Sequence, residues 1–382
     1  MDFSIPYGRQ HITDDDINEV VKTLRSDYLT QGPRVREFEE AFASYIGAKY
    51  AIAVANGTAA LHLSVLALQL ADNKKVITSP ITFSASANCI QYVCGRASFA
   101  DIDRSTYLLS LEACEEQLRK NPNDFAGIIP VDFAGLPVDM AAFRNLADQY
   151  GLWIVEDACH APGGAFTTSS GIYKCGNGEF ADLGIFSFHP VKHIATGEGG
   201  MITTNNESLY RKLLKLRTHG ITKNSFELTE NHGGWYYEMQ ELGYNYRLTD
   251  IQAALGISQL KAAEQRFSRR QEIADTYYKA FQDLQIVMQK VPEGCSHAYH
   301  LFTIEVDNRK ALYDYLHQHN IYAQVHYVPV HMMPYYQQLG FKKGDYPQAE
   351  AYYDRCLSLP MFPTLTMDEQ AYVISKVKEF VS

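Results

Sequence analysis

The chain lacks any long apolar run: nowhere in its 382 residues does a stretch approach the roughly 20 apolar residues that span a bilayer. Its start, Met1-Asp-Phe-Ser-Ile-Pro6, has neither the basic nor the apolar segment of a secretory leader. Close cysteine pairs are missing too. The seven cysteines (89, 94, 114, 159, 175, 295, 356) are odd in number and include no Cys-x-x-Cys, which fits reduced thiols in a cytoplasmic protein. No metal is expected. A net charge of −10 speaks against sequence-independent nucleic-acid binding, although local fields leave room for anionic substrates. The Gly-x-x-x-x-Gly-Lys-Ser/Thr of a nucleotide P-loop is absent. So is a Gly-x-Gly-x-x-Gly after the first strand, which weakens a dinucleotide reading.

What is present reads as a globular enzyme too long for a single core, so two domains are expected: 1–260, with an N-terminal arm, and 261–382. Apolar, β-branched runs at 50–54, 76–78, 97–100, 127–131, 153–155, 184–188 and 201–203 alternate with helical patterns such as 58–71, 84–93 and 140–150. That alternation predicts an α/β fold whose large domain holds a mostly parallel sheet flanked by helices. Ligands of such sheets bind beyond the carboxyl ends of the strands. Capping boxes begin at Thr13 and Thr249, and the second opens helices running to about 260 and then 281. Shorter strands and helices from about 285 (299–306, 322–326, 368–380) suggest a smaller C-terminal α+β domain. The aromatic segment 222–241 reads as a functional loop or an interface arm.

The chemistry gathers at strand ends. Leu152-Trp-Ile-Val-Glu-Asp157 is an apolar run ending in a carboxylate. Gly184-Ile-Phe-Ser-Phe-His-Pro-Val-Lys192 places one lysine past a second such run, with Ser187 before it and Gly197-Glu-Gly-Gly200 after it. A strand-end Asp157 and a loop Lys192 are the pair that pyridoxal phosphate needs. The amine forms a Schiff base with the cofactor aldehyde, and the carboxylate keeps the pyridine nitrogen protonated so that the ring takes up electrons. Asn56-Gly-Thr-Ala59 joins a strand to a helix and offers backbone amides to a phosphate, to which Ser187 could add a hydroxyl; it also reads as a plain turn. Phe83 could stack on a flat ring or fill the core. His160, three residues past Asp157, could bond a cofactor oxygen or be structural. Each residue alone is ordinary, and the combination points to a function.

These motifs, with Glu156-Asp-Ala-Cys-His160 and Gly243-Tyr-Asn-Tyr-Arg-Leu-Thr-Asp250, resemble the DegT/DnrJ/EryC1/StrS family of sugar aminotransferases over nearly the whole chain. The resemblance implies fold type I of the pyridoxal-phosphate aminotransferases. It also implies Lys192 as the cofactor lysine, Asp157 as the pyridinium partner, Phe83 stacked on the ring, His160 near its phenolic oxygen, and Thr58, Ala59 and Ser187 at the phosphate. Asn245 is implied to reach the cofactor phosphate of a neighbouring subunit, making the active unit a homodimer with shared sites. Family members with histidine in place of the lysine are dehydrases, so Lys192 favours transamination. The segment 167–178 is longer than the family pattern.

Segments 236–245 and 325–329 are most similar to the family's pseudaminic-acid pathway members. That similarity implies amination at C4 of a UDP-linked 4-keto-6-deoxy-N-acetylhexosamine, with L-glutamate as donor. His326 and Tyr327 are candidates for the sugar pocket, or they simply pack against the large domain. The alternatives are amination at C3, or at C4 of a dTDP- or GDP-linked sugar. A non-catalytic cofactor-binding protein is disfavoured because the lysine is present.

Overall fold

The computed structural model describes residues 4–381. Seven strands form the central sheet in the order Tyr50–Val54, Gly200–Thr204, Leu183–Ser187, Trp153–Asp157, Phe125–Ile129, Lys75–Thr78, Arg96–Phe99. Neighbours run parallel except around Gly200–Thr204, which is antiparallel to both strands beside it. The architecture is therefore α/β with a mostly parallel sheet, as the sequence pattern predicts. Both faces are covered. Ile128 and Ile154 join one core, while Ile129 and Val155, one residue further along each strand, join the other. The helix Gly57–Ala67 is apolar on nearly every side because it lies buried against the second face.

Where boundaries differ from the sequence pattern, backbone chemistry explains them. The strand expected to reach 131 stops at Ile129, since Pro130 has no N–H to give its neighbour. The Pro130 carbonyl still accepts the Asp157 amide at 2.9 Å, so the adjacent strand, expected at 153–155, continues to Asp157. The helix expected to reach 71 ends at Ala67, and Gln69 beyond it adopts a left-handed φ of 53°.

A second layer holds the antiparallel strands Val287–Met288, Phe302–Glu305 and Cys356–Leu359 with the helices Ala263–Phe281, Arg309–Gln318 and Met367–Val381. Its core of Tyr277, Phe302, Ile304, Leu312 and Val373 also takes in Ile5 from the other end of the chain. The Ile5–Pro6 strand pairs in parallel with Ile321–Tyr322. The strand expected at 322–326 is only that short pair; Gln324 then exchanges backbone bonds with Ser358 and leads the chain back over the large sheet.

The long 167–178 segment lies in a hairpin, Ala165–Thr168 with Gly171–Lys174, extended by Cys295–Ser296. The aromatic segment is tied at its base by Ile221–Thr222 against Glu238–Met239, and it exposes Phe226 (97 %) and Trp235 (75 %). Among the described residues no helix is long and apolar enough to cross a membrane.

Candidate active site

The carboxyl ends of Tyr50–Val54, Trp153–Asp157 and Leu183–Ser187 meet along one edge of the sheet, where parallel sheets take their ligands. A cavity of about 440 Å³ opens there. Of the ten residues singled out from the sequence, eight line it: Thr58, Phe83, Asp157, His160, Ser187, Lys192, His326 and Tyr327. Ala59 and Asn245 do not. Ala59 is buried and spends its amide on the helix cap, donating to Asn56 Oδ1 at 2.8 Å. In the first turn of this helix the amides of Gly57 and Thr58 have no acceptor among the described residues. Asn245 is exposed and forms a bridge with Thr218.

Close backbone contact aims the capped helix at the cavity. A Cβ on Gly200 would stand 2.5 Å from the Asn56 carbonyl, and one on Gly57 would stand 3.0 Å from Ser187 Cβ. The helix start, with its partial positive charge, is thereby pressed against Ser187. The Lys192 loop is closed on itself: Phe188 N donates to Gly199 O and Thr196 N to Phe188 O, both at 2.9 Å. Lys192 leaves this pinned loop for the cavity, where its Nζ lies 3.4 Å from His300 Nε2.

Asp157 is buried and accepts two hydrogen bonds, from the Ser86 hydroxyl at 2.6 Å and the Cys159 amide at 3.2 Å. A carboxylate only accepts, so Ser86 gives its proton to Asp157, and Thr82, 2.8 Å away, gives its own to Ser86. The His160 tautomer follows in the same way. Its Nδ1 accepts the Ala134 amide at 3.2 Å, so in the neutral ring the proton sits on Nε2, which faces the Tyr327 hydroxyl at 3.2 Å. Burial, then the nearby Lys192, keeps His160 neutral, well below the usual imidazole range. His326, bonded through Nδ1 to the Ser358 hydroxyl at 2.8 Å, is pushed down to about 3, first by burial and then by Lys192. Burial lowers the Lys192 amine to about 8; Cys159 and Asp157 oppose that, and Arg270 adds to it. An amine so placed is a usable base near neutral pH.

Among the lining residues that escaped the sequence reading are Tyr7, Ser86 and His300. Tyr7 arrives on the N-terminal segment, where Met361 N donates to its carbonyl at 2.9 Å, and its ring lies 5.2 Å from that of His326.

The sequence profile of the DegT/DnrJ/EryC1/StrS aminotransferase family matches residues 10–378. The chain belongs to that family. Among its relatives are the spore coat polysaccharide biosynthesis protein SpsC of Bacillus subtilis, 40% identical over 99% of this chain and 97% of that one, and the UDP-4-amino-4,6-dideoxy-N-acetyl-beta-L-altrosamine transaminase of Campylobacter jejuni, 36% identical over 97% and 95%. Among solved structures, Helicobacter pylori PseC, an aminotransferase involved in pseudaminic acid biosynthesis, superposes with a TM-score of 0.88 at 31% identity, covering 99% of each chain.

Behind the cavity the aminotransferase buries two carboxyl groups together. Asp132 Oδ1 accepts the Val138 amide at 2.9 Å and Glu156 Oε1 the Gly176 amide at 2.8 Å. One oxygen of each, with Cys175 Sγ, falls within 4.8 Å of the others, and Asp132 Oδ2 has no other partner. Burial raises both acids, Asp132 to about 7 and Glu156 well above the carboxyl range, so the pair holds a proton. A raised folded-state pKa gives stability that is fully present below the unfolded carboxyl pKa of about 4 and is lost as pH rises through about 7. Urea unfolding followed from about pH 6 to pH 8 should therefore show falling stability, by up to roughly 1.4 kcal/mol per pH unit for each proton released. Asp132→Asn, whose amide can donate to Glu156, should flatten that slope. An equally steep slope in the variant would rule out the shared proton.

Proposed function

We propose that the protein moves an amino group from L-glutamate to C4 of a UDP-linked 4-keto-6-deoxy-N-acetylhexosamine, with pyridoxal phosphate, the cofactor of this family, carried on Lys192. The observation that supports this best is the meeting of Lys192 and Asp157 in one cavity beside a helix start with free amides. Gly57, Thr58 and the Ser187 hydroxyl fit a phosphate. Phe83, 60 % exposed on the cavity wall, fits a flat ring.

The bound cofactor supplies an electron sink beside the carbon that exchanges its proton. Lys192, partly neutral at working pH, takes that proton from the donor and delivers one to the acceptor carbon. Asp157, which accepts from Ser86 and Cys159, would hold a proton on the nitrogen of a bound pyridine ring. His160 presents Nε2–H at a fixed angle because Ala134 anchors its other nitrogen. His326 and Tyr327 are read as sugar contacts, and Tyr7, its ring tilted against that of His326, joins them.

The acceptor class is inferred from the Campylobacter jejuni and Helicobacter pylori relatives. We also place Asn245 at the neighbouring subunit's phosphate, which makes the active unit a homodimer. Supporting this, the segment leading to Asn245 leaves Phe226, Trp235, Tyr237, Met239 and Leu242 exposed, a density of apolar side chains suited to a protein surface. The seven unpaired thiols fit a cytoplasmic enzyme.

Borohydride reduction of the pyridoxal-phosphate-loaded protein followed by peptide mapping should place the pyridoxyl group on Lys192, and Lys192→Ala should lower transamination by about 10²–10⁴-fold. A tag on a different lysine ends the reading. Mixing inactive Lys192→Ala and Asn245→Asp subunits should restore part of the activity, since a hybrid keeps one complete site. No recovery despite verified subunit exchange argues against shared sites. In a panel of nucleotide sugars with L-glutamate, kcat/KM for the UDP sugar should exceed that for its dTDP counterpart by about tenfold or more, roughly 1.4 kcal/mol. The opposite preference reassigns the acceptor and leaves the cofactor chemistry untouched.

A further inference from the structure

Arg270 is among the largest side chains to be fully buried, and among the described residues no carboxylate pairs with it. Its Nη1 donates to three main-chain oxygens, Tyr299 at 2.9 Å, Met361 at 3.0 Å and His300 at 3.4 Å, while Nε has no partner. A guanidinium taken out of water without a counter-charge is costly. A merely structural donor to three carbonyls would not need the charge.

What the charge can act on lies one residue away. His300, whose carbonyl Arg270 holds, puts Nε2 3.4 Å from Lys192 Nζ, the only side-chain polar partner of that amine among the described residues. The other His300 nitrogen is buried with no partner, and Tyr299 before it sits at a left-handed φ of 46°, so the turn depends on its clamp. Around Lys192, Asp157 and Cys159 from the strand end favour a charged amine. His160, His193, His300 and His326 are held neutral by burial. Tyr327 stays protonated, and His189 and Glu198 are exposed. Burial pulls the Arg270 guanidinium down only to about 9, so it is the cation of the set that stays charged at neutral pH.

We propose that Arg270 is a positioning residue of the aminotransferase reaction: its clamp on the Tyr299–His300 turn sets the imidazole against Lys192, and its fixed charge makes the cavity reject a second cation on the released amine. The proposal rests on Lys192 being the cofactor lysine. A base that must take a proton from substrate has to be neutral when released, and burial is opposed here by Asp157, which the chemistry cannot do without. Arg270 counters that opposition from the far side of His300, where it touches neither cofactor nor substrate.

The test reads the amine directly. Full-length protein stripped of cofactor is treated with trace acetic anhydride from about pH 6 to about pH 10, and acetylation of Lys192 is measured by peptide mass spectrometry against exposed Lys343. Arg270→Gln keeps amide donors for the carbonyls but removes the charge. It should move the Lys192 midpoint up by roughly one pH unit, which is about tenfold slower labelling at neutral pH, while Arg270→Lys stays near wild type. Loss of an unpaired buried charge favours folding, which circular dichroism and pyridoxal phosphate binding would check. An unchanged midpoint in folded Arg270→Gln, or an equal shift in Arg270→Lys, overturns the proposal. So does an ordinary lysine midpoint in the wild type, which keeps the test decisive even if the variant does not fold. A borohydride tag on another lysine would instead remove the cofactor assignment on which the role in the reaction rests, while the labelling, which needs no cofactor, would still report whether Arg270 sets the Lys192 midpoint.

Discussion

Taking one lysine out of water is the constraint on which the rest of the site depends. An ammonium drawn away from water is expensive, so burial lowers the Lys192 amine to about 8, below a surface lysine. That change alters what its neighbours can be. Histidines around it cannot charge without adding to a positive cluster, and four of them remain neutral. Asp157 has both oxygens engaged, one by a hydroxyl and one by an amide, and that hydroxyl is oriented in turn by Thr82. The site is thus a set of proton positions fixed by hydrogen-bond accounting, with the lysine as the one group free to change.

Legibility in the sequence followed the distance over which each position is determined. Lys192, Asp157 and Ser187 stand at or just past strand ends, and strand ends show in a local apolar pattern. Ser86 and His300 reach their partners across 71 and 108 residues of chain, and nothing in local spacing marks such a meeting. Tyr7 depends on the N-terminal segment crossing to the C-terminal layer. Ala59 is a different case, because its signal was available. Asn56 is a strong cap residue, and a cap takes the amide three positions on, so Ala59 was the amide least free to bind anything else. Fold boundaries obey the same logic: Pro130 stops its own strand through a missing donor and lengthens the next through its carbonyl.

The cavity also divides its labour by origin. The cradle for a phosphate and the lysine–carboxylate pair come from the large sheet and the loops at its strand ends. His326 and Tyr327 come from the segment after Ile321–Tyr322, and Tyr7 from the N-terminal arm. On the proposed assignments, chemistry and recognition hang on different stretches of backbone. A family built this way can exchange one sugar for another by altering the segments around His326 while the sheet edge stays as it is.

The pairing of Ile5–Pro6 with Ile321–Tyr322 has a consequence in time. On a ribosome, at about 5–20 residues per second, the partner strand emerges on the order of tens of seconds after the first one. Until then the start of the chain has no core to enter, because the core around Ile5 is made almost wholly of residues beyond 270. The central sheet can assemble while synthesis continues, but the wall of the cavity that Tyr7 supplies is among the last parts to be placed. Residues made before Lys192 and Asp157 complete the site, so a nascent chain holds that pair well before it can close the cavity around them.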